Sequence, residues 1–217
     1  EYLPRVGGAE IAVKELTDRL SREFAFDLVC HGKGVGHERI GNVDVYRVPG
    51  SKLLYPMRAF ARARRLHRAH PYDLVWGIMA AYAGFAALFF KLSSPRVPFL
   101  LTLQEGDPIA HIKRKARFVY PLFTMIFTRA DHVQAISQYL KEFGRSMGHA
   151  GLIDVVPNGV DTEHFKKKDP SLNKDHVVLI TTSRLVHKNG IDTVIRALAL
   201  LPESVTFQIY GEGREES

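Results

Sequence analysis

Residues 72–103 read YDLVWGIMAAYAGFAALFFKLSSPRVPFLLTL, and this run decides the fold class. YDLVWG at its start and VPFLLTL at its end are short, apolar and rich in branched or aromatic residues, so both are predicted strands. Between them Ile78 to Leu92 is almost wholly apolar and long enough for a helix, with one side expected on a sheet and another on neighbouring helices. The uncharged part, Leu74 to Phe90, falls short of the roughly 20 residues a membrane-spanning helix needs. Its Gly77-Ile78 junction reads as a strand handing over to a helix, not as one continuous span.

The same alternation extends in both directions. Upstream, Ala9 to Leu20 is a predicted helix behind Gly7-Gly8, FAFDLVC and GNVDVYRVPG are predicted strands, and Pro56 to Ala69 is a basic helix. Downstream, QEGDP forms a loop, two helices are expected around Lys113 to Phe127, and DHVQAIS is a strand. Ser137 stands where its hydroxyl can cap a helix beginning at Gln138. GLIDVVPNGVD is a further strand, ending at Pro157 and the Asn158-Gly159 turn. Such a series predicts an α/β domain in three layers, with a mostly parallel sheet covered on both faces; it has too few units for a barrel.

A polar, charged break, DTEHFKKKDPSLNKD at 161–175, precedes a second β-α-β pattern made by VVLITTSRL, NGIDTVIRALALLP and VTFQIYGEG. The expected division is a Rossmann-like domain over 1–165, a linker over 166–175, and the beginning of a second Rossmann-like domain over 176–217. About 40 residues are too few for the second to bury a core alone. The opening EYLPRVGGAE shows neither the basic nor the apolar region of a signal peptide, and a first strand is expected to be missing before it.

The 217 residues carry a formal charge of +7 and are 46% hydrophobic, with 17 Gly and 11 Pro, which excludes collagenous and wholly disordered chains. The single Cys30 excludes an intrachain disulfide and a cysteine-rich metal site, and a reducing compartment is expected. Positive charge is concentrated. Residues 51–70 hold Lys52, Arg58, Arg62, Arg64, Arg65 and Arg68 without an acid, and Lys113, Arg114, Lys115 and Arg117 follow later. Patches of this kind attract nucleotides, anionic lipid or nucleic acid without choosing among them, although no nucleic-acid module frames the charge. Arg58, Arg62 and Arg65 share a helical spacing that suits either an anionic membrane surface or a plain solvated face.

Three segments carry candidate chemistry. Gly7-Gly8, with Glu10 behind it, precedes a helix whose free N–H groups suit an anion, although a structural turn fits equally. In SRLVHKNG at 183–190, between a strand and a helix, Arg184 offers a planar fork for phosphate oxygens and Lys188 a point charge; an ordinary solvated loop is the plain alternative. Gln104, Glu105 and Asp107, with His111 beyond them, follow another strand, where the carboxylates suit a base, a sugar contact or simply a polar turn. No metal site, no Gly-x-Ser-x-Gly elbow and no nucleophile triad is visible in the sequence.

The order of Gly7-Gly8-Ala9-Glu10, Ala130 to Ser137 (ADHVQAIS), Val156 to Asp161 (VPNGVD) with Phe165, and Ser183 to Gly190 resembles the retaining nucleotide-sugar glycosyltransferases of family 4 over almost the entire chain. The resemblance implies a GT-B fold, in which an acceptor-side domain and a nucleotide-sugar domain face each other across a cleft. It also implies that Arg184 and Lys188 bind the donor diphosphate as catalytic groups, and that Gly7, Gly8 and Glu10 form a loop near the donor phosphates or acceptor. Gln104, Glu105, Asp107 and Ser137 become candidate acceptor contacts, and Asn158 and Gly159 belong to the passage between domains.

The implied reaction transfers a sugar from a nucleoside-diphosphate sugar to the hydroxyl of a sugar, glycolipid or other acceptor, without a further cofactor, in polysaccharide or glycolipid synthesis. A cytoplasmic location is expected, with peripheral contact at an anionic membrane. Two departures stand out. Gln104 occupies a position where the family commonly has His, and an amide is not a proton carrier. The family's paired donor-side glutamates would lie beyond Ser217, so the 217 residues alone are expected to be an inactive fragment. The alternatives are a membrane-surface or interaction module and a related GT-B nucleotide-sugar epimerase.

Overall fold

The computed structural model describes residues 2–4, 7–32, 36–166 and 176–215. It divides into two compact units, Glu1–Val160 and Asp161–Ser217. Apart from Lys166, the expected linker at 166–175 lies outside the described residues.

The first unit opens with helix α1 (Gly8–Arg19) and strands β1 (Phe26–His31), β2 (Gly36–Ile40) and β3 (Val43–Val48). These strands form a sheet in the order β1-β3-β2, with β1 parallel to β3 and β2 antiparallel to it. The sequence reading omitted β2. Its GHERI run has no apolar alternation, and four of its five residues are exposed, so the backbone ladder to β3 supports it more than burial does.

A four-stranded parallel sheet follows in the order β4-β5-β6-β7, made of β4 (Val75–Ile78), β5 (Phe99–Leu103), β6 (His132–Ala135) and β7 (Ile153–Val155). Among these strands run α2 (Tyr55–Ala69), α3 (Tyr82–Ser93), α4 (Ile109–Ala116), α5 (Tyr120–Thr128) and α6 (Gln138–Ser146). Phe99, Leu101 and Leu103 of the interior strand β5 are fully buried. They pack in one core with Leu88 of α3, Phe123, Ile126 and Phe127 of α5, and Leu140 and Phe143 of α6. The Phe127 ring meets those of Phe123 and Phe143 edge-on at 5.4 and 5.2 Å, a favourable geometry for aromatic quadrupoles.

Asp131 ties this sheet together at its entry side. Its Oδ2 accepts from the N–H of Phe99 at 2.7 Å and pairs with Lys91 Nζ at 2.8 Å, so one carboxylate joins the starts of β5 and β6 to the end of α3. Ser137 caps α6 as its position predicts, accepting from Leu140 N at 3.3 Å. The helix predicted from Ile78 begins only at Tyr82, because β4 continues through Ile78 and Met79 turns the chain with a positive φ of 66°.

The second unit contains β8 (Val177–Thr182), α7 (Ile191–Leu198) and β9 (Val205–Tyr210), with β8 and β9 parallel. The predicted β-α-β order is therefore present. Every strand pairing in the described residues is parallel except β2 with β3, in keeping with the expected α/β class.

Candidate functional site

Ligands of open parallel sheets bind at the carboxyl ends of the strands, and most of the candidate residues sit at such ends. In the first unit, Met79 N donates to Thr102 O at 2.8 Å and Ile136 N to Leu103 O at 3.2 Å, so the segments leaving β4, β5 and β6 are fastened side by side. Gln104 directly follows β5 and is buried. Glu105 comes next, and its Oε1 accepts from the N–H of Ala80 at 2.6 Å. Ala80 is wholly buried, so this carboxylate supplies an acceptor that water cannot replace there.

Burial pushes the Glu105 carboxyl above its ordinary range, against the opposing pull of backbone N–H bonds from Ala80, Glu105 and Gln104. Its second oxygen, Oε2, is buried without a hydrogen-bond partner. Asp107 is exposed, two residues before the start of α4. The structure thus brings Gln104 and Glu105 together with Met79 and Ala80, which the sequence reading had absorbed into a helix. The left-handed backbone at Met79 costs about 1–2 kcal/mol for a residue with a side chain. The neighbouring clamp from Glu105 holds the turn in which it occurs.

Gly7 caps α1 with extended backbone, and its carbonyl accepts from Ile11 N at 3.0 Å. A Cβ built on Gly7 would stand 2.5 Å from Glu10 Oε2, so the Glu10 carboxylate lies back against this turn. A Cβ on Gly8 would meet nothing within 4 Å, which leaves the first turn of α1 open to an approaching group. Asn158 and Gly159 are exposed and follow β7 just before the division at Val160. The Ser137 hydroxyl accepts its cap bond and retains its proton for donation.

In the second unit β8 runs into Ser183, Arg184, Leu185 and a short 3-10 turn, His187–Asn189. Gly190 then adopts φ 65°, a left-handed conformation that glycine takes without penalty, and α7 begins. Backbone bonds pin this loop to the end of β9 and the segment after it: Ser183 N donates to Tyr210 O at 3.1 Å, and Leu185 N to Glu212 O at 2.9 Å. The Asn189 side chain donates to the Arg184 carbonyl at 2.6 Å. With its backbone fixed on both sides, Arg184 presents an exposed guanidinium, and Lys188 is exposed four residues later.

The sequence reading missed what allows this close approach. A Cβ on Gly211 or Gly213 would lie 1.9 Å from the carbonyl oxygen of Ser183 or Leu185, respectively. The signal was present in the GEG run after β9, where glycine permits contact between two backbones. An open cavity of about 350 Å³ lies elsewhere, lined by Phe24, Phe26, Asp27, Arg39 and Asp44 among others. It is at the amino ends of β1 and β3, opposite the strand ends where α/β sheets hold ligands.

The sequence profile of Glycosyltransferase Family 4 matches residues 6–164, well over half of the chain. An uncharacterized glycosyltransferase of Methanocaldococcus jannaschii is 25% identical, aligned over 99% of this chain and 62% of its own length. A GDP-mannose-dependent alpha-(1-6)-phosphatidylinositol monomannoside mannosyltransferase of Mycobacterium tuberculosis is also 25% identical, over 91% of this chain and 54% of its own. The crystal structure of Anabaena HepE in complex with UDP and glucose shares the fold with a TM-score of 0.70 at 21% identity, covering 98% of this chain and 60% of HepE. The chain thus spans little more than half the length of these relatives. A profile matched from the turn before α1 to the residues just past β7 identifies the chain as a member of Glycosyltransferase Family 4.

Proposed function

We propose that the chain is part of a retaining glycosyltransferase, moving a sugar from a nucleoside-diphosphate sugar to an acceptor hydroxyl. The observation that carries this reading is the Arg184 loop: a fork-shaped cation on a backbone-pinned strand end, followed by Lys188 and the start of α7. In the proposed step the bond from the anomeric carbon to the diphosphate breaks, and its electron pair stays on the departing oxygen. Arg184 takes two phosphate oxygens and Lys188 a third, so both act where negative charge grows. The acceptor oxygen bonds the anomeric carbon on the face the diphosphate has left, and its proton passes to a diphosphate oxygen. Gln104 carries no proton in this scheme.

Gly7, Gly8 and Glu10 form the proposed loop beside the donor phosphates or acceptor; Gln104, Glu105, Asp107 and Ser137 are the proposed acceptor side. Asn158 and Gly159 form the proposed passage toward the second unit. The donor class is supported by HepE, solved with UDP and glucose, and by a mycobacterial relative named for GDP-mannose. The latter is named for a phosphatidylinositol-linked acceptor, which supports a glycolipid product.

In the full-length protein, Arg184→Ala and Lys188→Ala are each expected to lower kcat by about a hundredfold to a thousandfold, the usual loss for one charge-stabilising group. Wild-type turnover in both variants would refute the assignment. A product anomer opposite to that of the donor, read by proton NMR, would refute retention.

A further inference from the structure

We propose that the cavity at the amino ends of β1 and β3 binds a neutral sugar ring, as a holding site for saccharide away from the strand ends where transfer is proposed. Strand pairing sets its polar wall in one row. Asp27 of β1 is the register partner of Asp44 of β3, and Asp44 is also the partner of Arg39 of β2, so the three side chains leave one face of the sheet on neighbouring strands. Each carboxylate is held. The Tyr72 hydroxyl donates to Asp27 Oδ2, while Asp44 pairs with His37 Nε2 at 2.6 Å and with Arg39 Nη1 at 3.4 Å. Among the described residues nothing else engages Asp27 Oδ1 or the remaining Arg39 N–H groups, which leaves them to a ligand.

The other wall is aromatic. Strand alternation sends Phe26 to the face opposite Asp27, where it packs against the cluster of Val13, Val43 and Val45. Its ring lies 6.2 Å from that of Phe24, which is 56% exposed and belongs to none of the buried clusters. The fold gains little from a ring left this open. The cavity gains a flat apolar surface beside its polar row.

Charge decides the class of ligand. In the lining, Arg22 and Arg39 nearly balance Glu23, Asp27 and Asp44. A phosphate would meet the carboxylates, and an ammonium group would meet the guanidiniums. A pyranose carries no charge, offers an apolar C–H face to the Phe24 ring, and has a rim of hydroxyls that each donate and accept. The carboxylates accept from such hydroxyls and Arg39 donates to them, so platform and row address both aspects of one ring. The volume of about 350 Å³ is at the small end of small-molecule sites, which suits a single sugar or a disaccharide. Six-residue strands set the cavity about 20 Å from the carboxyl ends of β1 and β3, so its occupant does not compete with a donor bound there. That the sugar belongs to an acceptor or product rests on the proposed transfer; the binding itself does not.

Titration of the isotope-labelled full chain with D-glucose, D-mannose and their α-linked disaccharides, read by proton–nitrogen NMR, tests this. Shifts are expected at the amides of residues 24–27 and 39–44, with dissociation constants on the order of millimolar for a single ring. Phe24→Ala and Asp44→Asn should each weaken binding about tenfold. Phe24→Trp should retain it, whereas Phe24→Leu, apolar but not flat, should lose it as Phe24→Ala does. The Phe24 variants should melt with wild type, because the ring is mostly open to water. Shifts confined to Gln104, Glu105 and Ser137, shifts at the cavity with inorganic phosphate or choline but not with sugar, undiminished binding by Phe24→Leu, or no shift with any of the sugars would each overturn the proposal. No nucleotide sugar is present in the titration, so its failure and the failure of the proposed transfer are told apart.

Discussion

Replacing Glu105 tests whether the strand-end turn depends on its buried carboxyl. Glu105→Ala removes the acceptor of the Ala80 N–H, and Ala80 is 0% exposed, so no water takes its place. An unsatisfied buried donor costs about 1–3 kcal/mol. For a chain of this size each kcal/mol lowers Tm by about 2–4 °C, so a midpoint loss of about 2–12 °C is expected. Glu105→Gln keeps a carbonyl oxygen for Ala80 and removes the charge, so near neutral pH it should melt at or above wild type.

The pH dependence gives an independent readout. Burial raises the carboxyl in the folded chain, so between its ordinary value and its native value the native state binds more protons than the unfolded one. Stability from this group is then fully present below the ordinary glutamate range, near 4.3, and declines as pH rises through the native value. The advantage of Glu105→Gln over wild type should accordingly grow with pH across that interval. Circular-dichroism melts of the three proteins at a series of pH values measure both effects. Glu105→Ala melting with wild type, together with a Gln variant whose pH profile parallels wild type, would refute the clamp.

Gly213→Ala places a methyl carbon 1.9 Å from the Leu185 carbonyl, so the loop carrying Arg184 must shift, at a cost of about 1–3 kcal/mol. Calorimetric titration of the full-length protein with UDP or GDP should show weakened binding, and unchanged affinity for whichever nucleotide wild type binds would disprove the coupling. At Asp131 burial alone would raise the carboxyl, but hydrogen bonds from Lys91 and the Phe99 N–H hold it below its ordinary range. Its contribution is therefore present above the ordinary aspartate value and fades as pH falls through the native one. Asp131→Asn should lose about 1 kcal/mol or less at neutral pH, since the pair is partly exposed, and the gap to wild type in urea unfolding should close in acid.

Most of the fold was legible because its core strands announce themselves. FLLTL in β5 is buried from end to end apart from a half-buried Leu100, and only a strand inside a covered parallel sheet needs such a run. The charged break after Val160 was equally plain. Two elements escaped for opposite reasons. Strand β2 is held by backbone pairing and carries almost no burial pattern to read. The first turn of the helix predicted from Ile78 was lost to an irregular segment, because the apolar character of GIMAA says nothing about a left-handed Met79 or about a carboxylate arriving from 25 residues away.

The chemistry-bearing residues were legible by type and only partly by setting. Arg184 and Lys188 stand out in SRLVHKNG, yet what fixes their loop is Gly211 and Gly213, more than twenty residues later, where two backbones meet. The same limit applies on α2. A period of 3.6 sorts its arginines into arcs but does not say which arc the protein keeps for itself. That choice depends on the Pro49 carbonyl and the Tyr46 ring, which engage Arg58 and Arg62 and leave Arg64, Arg65 and Arg68 facing outward. Tertiary contacts thus convert an evenly basic segment into a surface with an inside and an outside. Removing the Tyr46 ring should consequently release Arg62 without altering the charge that the outward arc presents.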